Sequence, residues 1–415
     1  MAQAGIALGA EGASAGPGSG ISPWRRFKAD PAEWFSAEEI EKATAYSTPS
    51  RRLARTARAV AFAAEVLVVV THLAPNVLDA LDVSNWVVGV FVVLALTSVV
   101  DIVVAVPFAA YRELVFDKKW GFSTQTTKGF VSDQVKGLLL GAVIMTLLFV
   151  PIWAAIRATD SWWVWGWLLL TALQVGMLAV YPVLIAPIFN KFKPLEDEDL
   201  KAELLAMAKD ADVPVKDVLV SDGSRRDTRE NAYFAGLGRT RQLVLFDTIL
   251  KRPREQLRSV VAHELGHWKL RHLVVSLPLA IVTTFAAFWV LQRVLAWDSL
   301  LELAGVDDLR TPGAIPLFTL VFGLITRVPG FATTALTRVH EREADLFSLD
   351  TTRDPDAFVA AMRALYVDNG ANLTPTWWQR FTRTHPFADE RMALGTEWAR
   401  RQGIALSAAE PVEPS

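Results

Sequence analysis

Long apolar runs alternate with polar segments along most of this chain. Six of the runs approach or exceed the roughly 20 apolar residues that a helix needs to cross a bilayer. They cover residues 57–78, 86–111, 137–157, 163–187, 273–297 and 313–334. The pattern predicts a mainly α-helical, polytopic membrane protein with about six transmembrane helices.

The chain outside these runs divides into segments of different character. Residues 1–20 are rich in Gly, Ala and Ser, which predicts a disordered tail rather than a signal peptide. Within 188–272 the periodicity predicts a helix over 200–213, a strand and turn over 217–223, a β-hairpin over 230–247 and a helix over 254–272. The expected organisation is a polar N-terminal region (1–45), four transmembrane helices with a basic loop (46–187), a soluble-type region (188–272), two transmembrane helices (273–335), a second polar region (336–400) and a tail (401–415).

Composition agrees with a membrane protein and excludes several functions. Hydrophobic residues make up 52% of the 415 positions, which is high for a soluble protein of this length. The net charge of −2 provides no global basic field, so no nucleic acid partner is expected. There are no cysteines, which excludes disulfides, thiolate metal sites and cysteine nucleophiles.

The distribution of loop charges predicts how the chain is oriented. Lys and Arg are concentrated before the first apolar run, in the loop 112–136, in 188–272 and after residue 335, whereas the intervening loops carry acids. Basic loops remain on the cytoplasmic side of a membrane. We therefore expect a multi-pass protein of the cell membrane with both termini and all large polar regions in the cytoplasm.

The stretch VVAHELGHWKL (260–270) carries the clearest candidate chemistry. His263 and His267 are four residues apart, so a helix presents both on one face, close enough to hold one metal ion. Glu264 lies one step round the helix, within reach of a water beside that metal. A catalytic zinc site needs three protein ligands and an open position. A surface helix with incidental histidines is the alternative, but the apolar residues before His263 argue against full exposure.

A third ligand is expected from RVHEREADLFSLD (338–350). Glu341 and Asp345 are again four apart, so one carboxylate can bind the metal while the other orients a ligating histidine through its far N–H. Glu343 and His340 are alternatives that spacing does not exclude. An ordinary charged amphipathic helix is equally compatible with this stretch alone.

Several further stretches, taken together with these motifs, resemble one known family. The chain is similar, from about Tyr46 to about residue 400, to the membrane-embedded zinc metalloproteases typified by the type 1 CAAX prenyl protease. The similar stretches occur in the family's order and are PFAAYRELVFDKKWGFSTQT (107–126), YPVLIAPIFNKFKPLEDEDL (181–200), SDGSRRDTRENAYFAGLGRTRQLVLFDTIL (221–250), HELGHWKLRH (263–272), EREAD (341–345) and THPFADER (384–391).

The resemblance implies a role for each residue of a candidate site with one Zn²⁺ per chain. These roles are zinc ligand for His263, His267 and Glu341, general base for Glu264, orienting acid for Asp345, oxyanion stabiliser for His385 and substrate contact for Asn231. The resemblance also implies a zincin-like domain with a small β-hairpin or sheet, and helices that surround a water-filled chamber with Glu65 and Asp101 as lining residues.

Two departures from the family pattern bear on substrate binding and on the number of spans. The stretch before Asn231 reads TRENAYF where the family has an HSNAYF-like sequence, and residues 1–45 are polar where eukaryotic members have another span. The Ala/Val/Arg-rich composition is typical of a bacterial homologue.

We therefore expect an integral-membrane zinc endopeptidase with its active site on the cytoplasmic side. Its expected substrates are prenylated CAAX-type or other membrane-associated peptides, bound as an extended strand at the edge of the hairpin 230–247. A membrane transporter and a zinc-binding scaffold or quality-control protein are the alternatives. The transporter predicts that Glu264→Gln has no effect on function, and the scaffold predicts co-purifying partners that are never cut.

Overall fold

The computed structural model describes residues 20–27, 30–236 and 241–407, and the tail expected over 1–20 lies outside this part of the chain except for Gly20. Helices dominate the fold. They are α1 (Ala37–Val70), α2 (Leu73–Ala80), α3 (Trp86–Tyr111), α4 (Asp117–Lys119), α5 (Thr127–Ala158), α6 (Trp162–Val180), α7 (Ala186–Phe189), α8 (Glu198–Asp210), α9 (Arg254–Lys269), α10 (His272–Val294), α11 (Asp298–Leu303), α12 (Ile315–Thr352), α13 (Pro355–Asp368), α14 (Trp377–Thr382) and α15 (Ala388–Gln402).

The prediction of a mainly α-helical, multi-pass membrane protein is confirmed. Among the described residues, five helical stretches are long and apolar enough to cross a bilayer, and the bent pair α1–α2 makes a sixth if it forms one span. The five are Trp86–Lys119, Thr127–Ala158, Trp162–Phe189, His272–Val294 and Pro312–Thr352.

The hydropathy pattern of the first apolar run predicts one straight helix. The structure has two helices there instead. The helices α1 and α2 meet at an angle of 53°. His72, between them, has φ 54°, in the left-handed region that a right-handed helix cannot include. The apolar pattern continues across this break because both helices bury residues in the same core.

Aromatic packing holds the membrane-spanning helices together. Trp153 of α5 is fully buried and meets Phe318 of α12 edge-on, with ring centroids 5.5 Å apart. Edge-to-face contacts of this kind add to the stabilisation that burial provides. Beside this core, a cavity of about 350 Å³ is lined by both Glu65 and Asp101, the two acids expected to face a polar interior.

The soluble-type region contains the hairpin that the sequence predicts, within a larger sheet. Among the described residues four strands pair in the order β1-β2-β4-β3, with β1 Phe192–Pro194, β2 Asp217–Ser221, β3 Ala232–Ala235 and β4 Gln242–Phe246. β3 and β4 are antiparallel, β2 and β4 are parallel, and the connection 237–240 lies outside the described residues. β3 therefore lies at an edge of this sheet. The sequence does not reveal β1, because its three residues include a proline and show no alternation.

α12 links the membrane to the soluble region. Its first half packs in the aromatic core, and its second half lies against α9. The close approach requires Gly266, since a Cβ there would come within 3.0 Å of Ala344 Cα and 3.1 Å of Phe347 Cβ. Ser348 donates a hydrogen bond to the Ser259 carbonyl across the same contact, at 2.7 Å. This crossing brings the HELGH stretch opposite EREAD.

Candidate active site

Three metal-ligating side chains converge where α9 crosses α12. His263 and His267 project from successive turns of α9, and Glu341 faces them from α12. The Nε2 atoms of the two histidines are 3.2 Å apart. Glu341 Oε2 lies 3.6 Å from His263 Nε2, and Glu341 Oε1 lies 3.5 Å from His267 Nε2. We call His263, His267 and Glu341 the metal centre.

The geometry and the burial of the metal centre fit a divalent cation. Ligand atoms about 2.1 Å from a tetrahedral zinc ion are separated from one another by about 3.4 Å, close to the three distances here. Glu341 Oε2 is buried and has no hydrogen-bond partner in the described chain. A buried acceptor without a partner is costly, and a cation would satisfy it. Two imidazoles and one carboxylate form a ligand set that zinc prefers.

The far nitrogen of His263 contacts a buried acid. Asp345, fully buried, places Oδ1 2.9 Å from His263 Nδ1, which turns Nε2 towards the metal centre. Arg391 supports this carboxylate with a hydrogen bond from Nε to Oδ2 at 2.9 Å and a second contact through its terminal nitrogen. Arg391 is not among the site residues predicted from the sequence, although it lies in the THPFADER stretch. The role of Arg391 depends on the packing of α15 against Asp345, which the sequence alone does not reveal.

Electrostatics give the two histidines of the metal centre different protonation states when no cation is bound. Burial lowers the pKa of His267 to about 3, so its imidazole is neutral. Burial also disfavours a charged His263, but the Asp345 and Glu341 carboxylates outweigh that and raise its pKa to about 9. A cation that binds Nε2 takes the place of the proton held there. Burial raises the pKa of Glu264 to about 7, near the value expected of a general base.

A cleft of about 330 Å³ opens over the metal centre. Its walls include Asn231, Glu264 and His385. His385 places Nε2 3.4 Å from Glu341 Oε1, while its side chain is 60% exposed towards the cleft. The structure thus brings six predicted residues into one contiguous group around Glu341, and Asn231, directly before β3, lines the same cleft.

The residues that depart from the family pattern have defined partners. Arg229 pairs with Asp227 at 2.6 Å, which directs its side chain away from the cleft. Glu230 pairs with Arg252 at 2.7 Å, although it still lines the cleft wall. The alternative third ligands His340 and Glu343 face the other side of α12, where they meet His272. Glu341 is therefore the carboxylate that completes the group with His263 and His267.

Comparisons with known proteins identify the family of the chain. Residues 26–191 match the family model described as CAAX prenyl protease N-terminal, five membrane helices, and residues 194–399 match the model of peptidase family M48. A CAAX prenyl protease 1 homolog from Oryza sativa subsp. japonica is 27% identical over 86% of this chain and 87% of its own length.

Further relatives come from an animal and a bacterium. A CAAX prenyl protease 1 homolog from Homo sapiens is 26% identical over 72% of each chain. The uncharacterized metalloprotease YhfN of Bacillus subtilis is 29% identical over 66% of this chain and 65% of its own length. The crystal structure of S. mikatae Ste24p has the same fold, with a TM-score of 0.79, 24% identity and coverage of 87% of this chain and 90% of that chain.

Proposed function

Because the chain belongs to peptidase family M48 and is a multi-pass membrane metalloendopeptidase, we propose that it works with a single zinc ion held by His263, His267 and Glu341. The observation that carries this assignment is the unpartnered, buried Oε2 of Glu341 opposite two imidazole nitrogens. Zinc in such a site polarises the scissile carbonyl and makes water a nucleophile near neutral pH.

The protein's own residues carry the proton transfers. Glu264 faces the cleft beside the metal centre with a pKa of about 7, and it takes a proton from the attacking water. It then delivers that proton to the leaving amine. His385 is exposed to the cleft and lies next to Glu341, so it donates a hydrogen bond to the oxyanion as the tetrahedral intermediate forms. Asn231 offers its side-chain amide from the opposite wall.

The substrate binds as an additional strand along β3. The Asn231 carbonyl accepts a hydrogen bond from Phe246 N at 3.0 Å, so the Asn231 backbone faces β4. Since successive residues of a strand point their backbone groups to opposite sides, the backbone groups of Ala232 and Phe234 face the free edge. An extended peptide paired there would run past the metal centre, because Asn231 and Ala232 line the same cleft as His263.

Membrane-associated, lipidated peptides are the substrates we favour. The curated relatives named CAAX prenyl proteases support this class. A second support is the continuity of α12, which runs from the candidate membrane span into the metal centre and is compatible with a site near the bilayer surface. Basic loops flank the soluble region, and by the positive-inside rule the site faces the cytoplasm of the cell membrane.

The first experiment compares wild type with Glu264→Gln on a CAAX-type peptide in detergent, read by mass spectrometry. We expect wild type to cut the peptide, and Glu264→Gln to retain its zinc and lose about 10²–10⁴-fold in turnover. Glu255→Gln is the matched control, because Glu255 lies in the exposed first turn of the same helix. Equal turnover by Glu264→Gln and wild type would rule out the general-base role.

The same peptide in farnesylated and unmodified forms tests the substrate class. A strong preference for the farnesylated form is expected, since the lipid adds apolar contact area that an unmodified peptide lacks. Equal cleavage of both forms would instead identify a peptidase without lipid selectivity.

Backbone pairing between β3 and the substrate is tested by changing the protein and, separately, the peptide. Ala232→Pro removes an N–H that faces the free edge while leaving the β3–β4 bonds, so it should raise KM. A substrate series with single N-methylated amides should show the matching loss at alternate positions. Unchanged kinetics in both experiments would require another binding mode.

A further inference from the structure

A second group of metal-ligating side chains lies on the opposite side of α12 from Glu341. His272 begins α10, and His340 and Glu343 lie three residues apart on α12. One ligand atom of each lies within 4.8 Å of the others. Both histidines are buried, with 6% of their surface exposed, and the Glu343 side chain is 28% exposed. We call His272, His340 and Glu343 the second cluster.

Packing alone does not account for the second cluster. The rings of His272 and His340 stack face to face, with centroids 4.2 Å apart and an interplanar angle of 5°. In the described chain, the hydrogen-bond partner of the His340 ring is Ser276 Oγ, at the limiting distance of 3.5 Å. Burying imidazole nitrogens without good partners is unfavourable, whereas an aliphatic or aromatic side chain would fill the space without that cost.

The chemistry of the second cluster suits a divalent transition metal. Two imidazoles and one carboxylate are the donors that zinc and its neighbours prefer, and three protein ligands leave a position for water. Glu343 Oε2 is 3.0 Å from His272 Nε2, which is a hydrogen-bond distance, and the three ligand atoms lie within 4.8 Å of one another, so small side-chain shifts bring them to the roughly 3.4 Å that ligands of a tetrahedral ion require. The partial exposure of Glu343 provides a route by which a cation can enter.

We propose that His272, His340 and Glu343 form a second divalent-cation site, separate from the metal centre and sharing no ligand with it. Zinc is the ion that its donors favour. The site adds to the single catalytic zinc of the proposed function, and its existence does not depend on peptidase activity.

The two sites are coupled through one hydrogen bond. His267 Nδ1 and His272 Nδ1 are 2.9 Å apart, and one proton must lie between them. When His267 binds a metal through Nε2, its Nδ1 donates that proton to His272, whose Nε2 then carries a proton and donates to Glu343. A cation on His272 Nε2 must release this Nε2 proton. Because a neutral imidazole that ligates through Nε2 carries its proton on Nδ1, the hydrogen bond between His267 and His272 must then open as well. The second cation should therefore bind after the metal centre is filled and more weakly.

Zinc stoichiometry of the intact protein in detergent tests the proposal. Wild type and variants are equilibrated with zinc buffered at a low and at a high free concentration, and bound zinc is measured by inductively coupled plasma mass spectrometry. Wild type should hold one equivalent at low and two at high free zinc. His340→Ala should hold one at both concentrations and retain peptidase activity, because the His340 side chain groups with His272 and Glu343 and does not line the cleft.

Three further variants make the result unambiguous. His263→Ala disables the metal centre and should still take up one equivalent at high zinc, which the combination with His340→Ala abolishes. Glu343→Gln preserves the shape of the side chain, and it replaces His340→Ala in the comparison if that variant does not fold. His72→Asn removes a histidine outside both groups and should leave two equivalents.

Equal zinc content of wild type and His340→Ala at the high concentration, or of wild type and Glu343→Gln, overturns the second site. Failure of the proposed function would look different. In that case His263→Ala, rather than His340→Ala, would leave the zinc count unchanged, and wild type would cut none of the peptides.

Discussion

The metal centre and the second cluster each consist of two histidines and one glutamate, with both glutamates on α12, and they differ in what surrounds them. At the metal centre, Glu341 Oε2 has no partner in the described chain, and a buried Asp345 orients His263. In the second cluster, Glu343 already bonds to His272 and is partly exposed. The residue types alone therefore permit metal binding at both groups. High affinity additionally requires ligand atoms without other partners and side chains held in place by their surroundings.

The two groups also differ in the charged residues that contact their histidines. Asp345 is itself held by Arg391, so the metal centre is backed by a buried ion pair that cannot relax into water. Partners that orient metal-binding histidines in this way typically affect metal affinity or activity by about 10–100-fold. The second cluster is backed by His267, a ligand of the metal centre, so its readiness depends on the occupancy of the other site.

Replacing the glutamate of each group by glutamine should give the largest difference in peptide cleavage between the two groups. Glu341→Gln removes a charged ligand from the metal centre, so bound catalytic zinc and peptide cleavage should both fall to background. Glu343→Gln, two residues away on the same helix, should retain cleavage. Metal analysis and a peptide assay on the two purified variants make the comparison, and equal activity losses would remove the distinction between the two groups.

His385 has no counterpart in the second cluster, and its loss should have the next largest effect. His385→Ala should lower kcat by about 10²–10³-fold, the usual effect of one oxyanion donor, because its side chain faces the cleft beside Glu341. Zinc content should be unchanged. Full activity in this variant, or loss of zinc along with activity, would show that His385 acts differently.

Replacing the acid behind His263 should have a smaller effect. Asp345→Asn keeps a hydrogen-bond acceptor but leaves Arg391 without its charge partner, so zinc affinity or activity should decrease by about 10–100-fold. A competition titration with a chelator measures the affinity. Asp350→Asn is the control, because Asp350 lies on the same helix and accepts a hydrogen bond from Trp398 instead; an equal effect there would indicate general destabilisation.

The smallest expected effect concerns the contact between α9 and α12 beside the metal centre. Gly266→Ala inserts a methyl group within 3.0 Å of the α12 backbone, so α9 must shift, at a cost of about 1–3 kcal/mol in stability. Thermal unfolding in detergent measures it. Gly323→Ala, where a Cβ would meet no atom within 4 Å, should be neutral. A neutral Gly266→Ala would mean that the helix crossing is looser than its contacts indicate.

Much of the architecture follows from the hydrophobic pattern of the chain. The apolar runs predict the membrane helices, and two apolar stretches around a Gly-containing loop predict the β3–β4 hairpin. The break at His72 escaped the prediction because a left-handed backbone residue leaves the hydropathy pattern unchanged. β1 escaped because three residues contain no period, and its place beside β2 is decided by pairing with a strand further along the chain.

The candidate site also contains residues that local spacing predicts and residues that it does not resolve. Spacing within α9 is enough to pair His263 with His267, because a helix converts a separation of four residues into a shared face. Spacing within 338–350 left Glu341, Asp345, Glu343 and His340 as alternatives for the third ligand, and the resemblance to known metalloproteases pointed to Glu341.

The features that the amino-acid sequence is sufficient to specify are local: which segments are apolar enough to span a bilayer, which are helical, and which two histidines share a helix face. Tertiary packing was needed to establish that α9 crosses α12 at Gly266, that Arg391 stands behind Asp345, and that His340 and Glu343 meet His272 instead of the metal centre. The physical reason is that hydropathy and periodicity are properties of neighbouring residues. Ligation and buried ion pairs depend instead on distances between helices that are far apart in the chain.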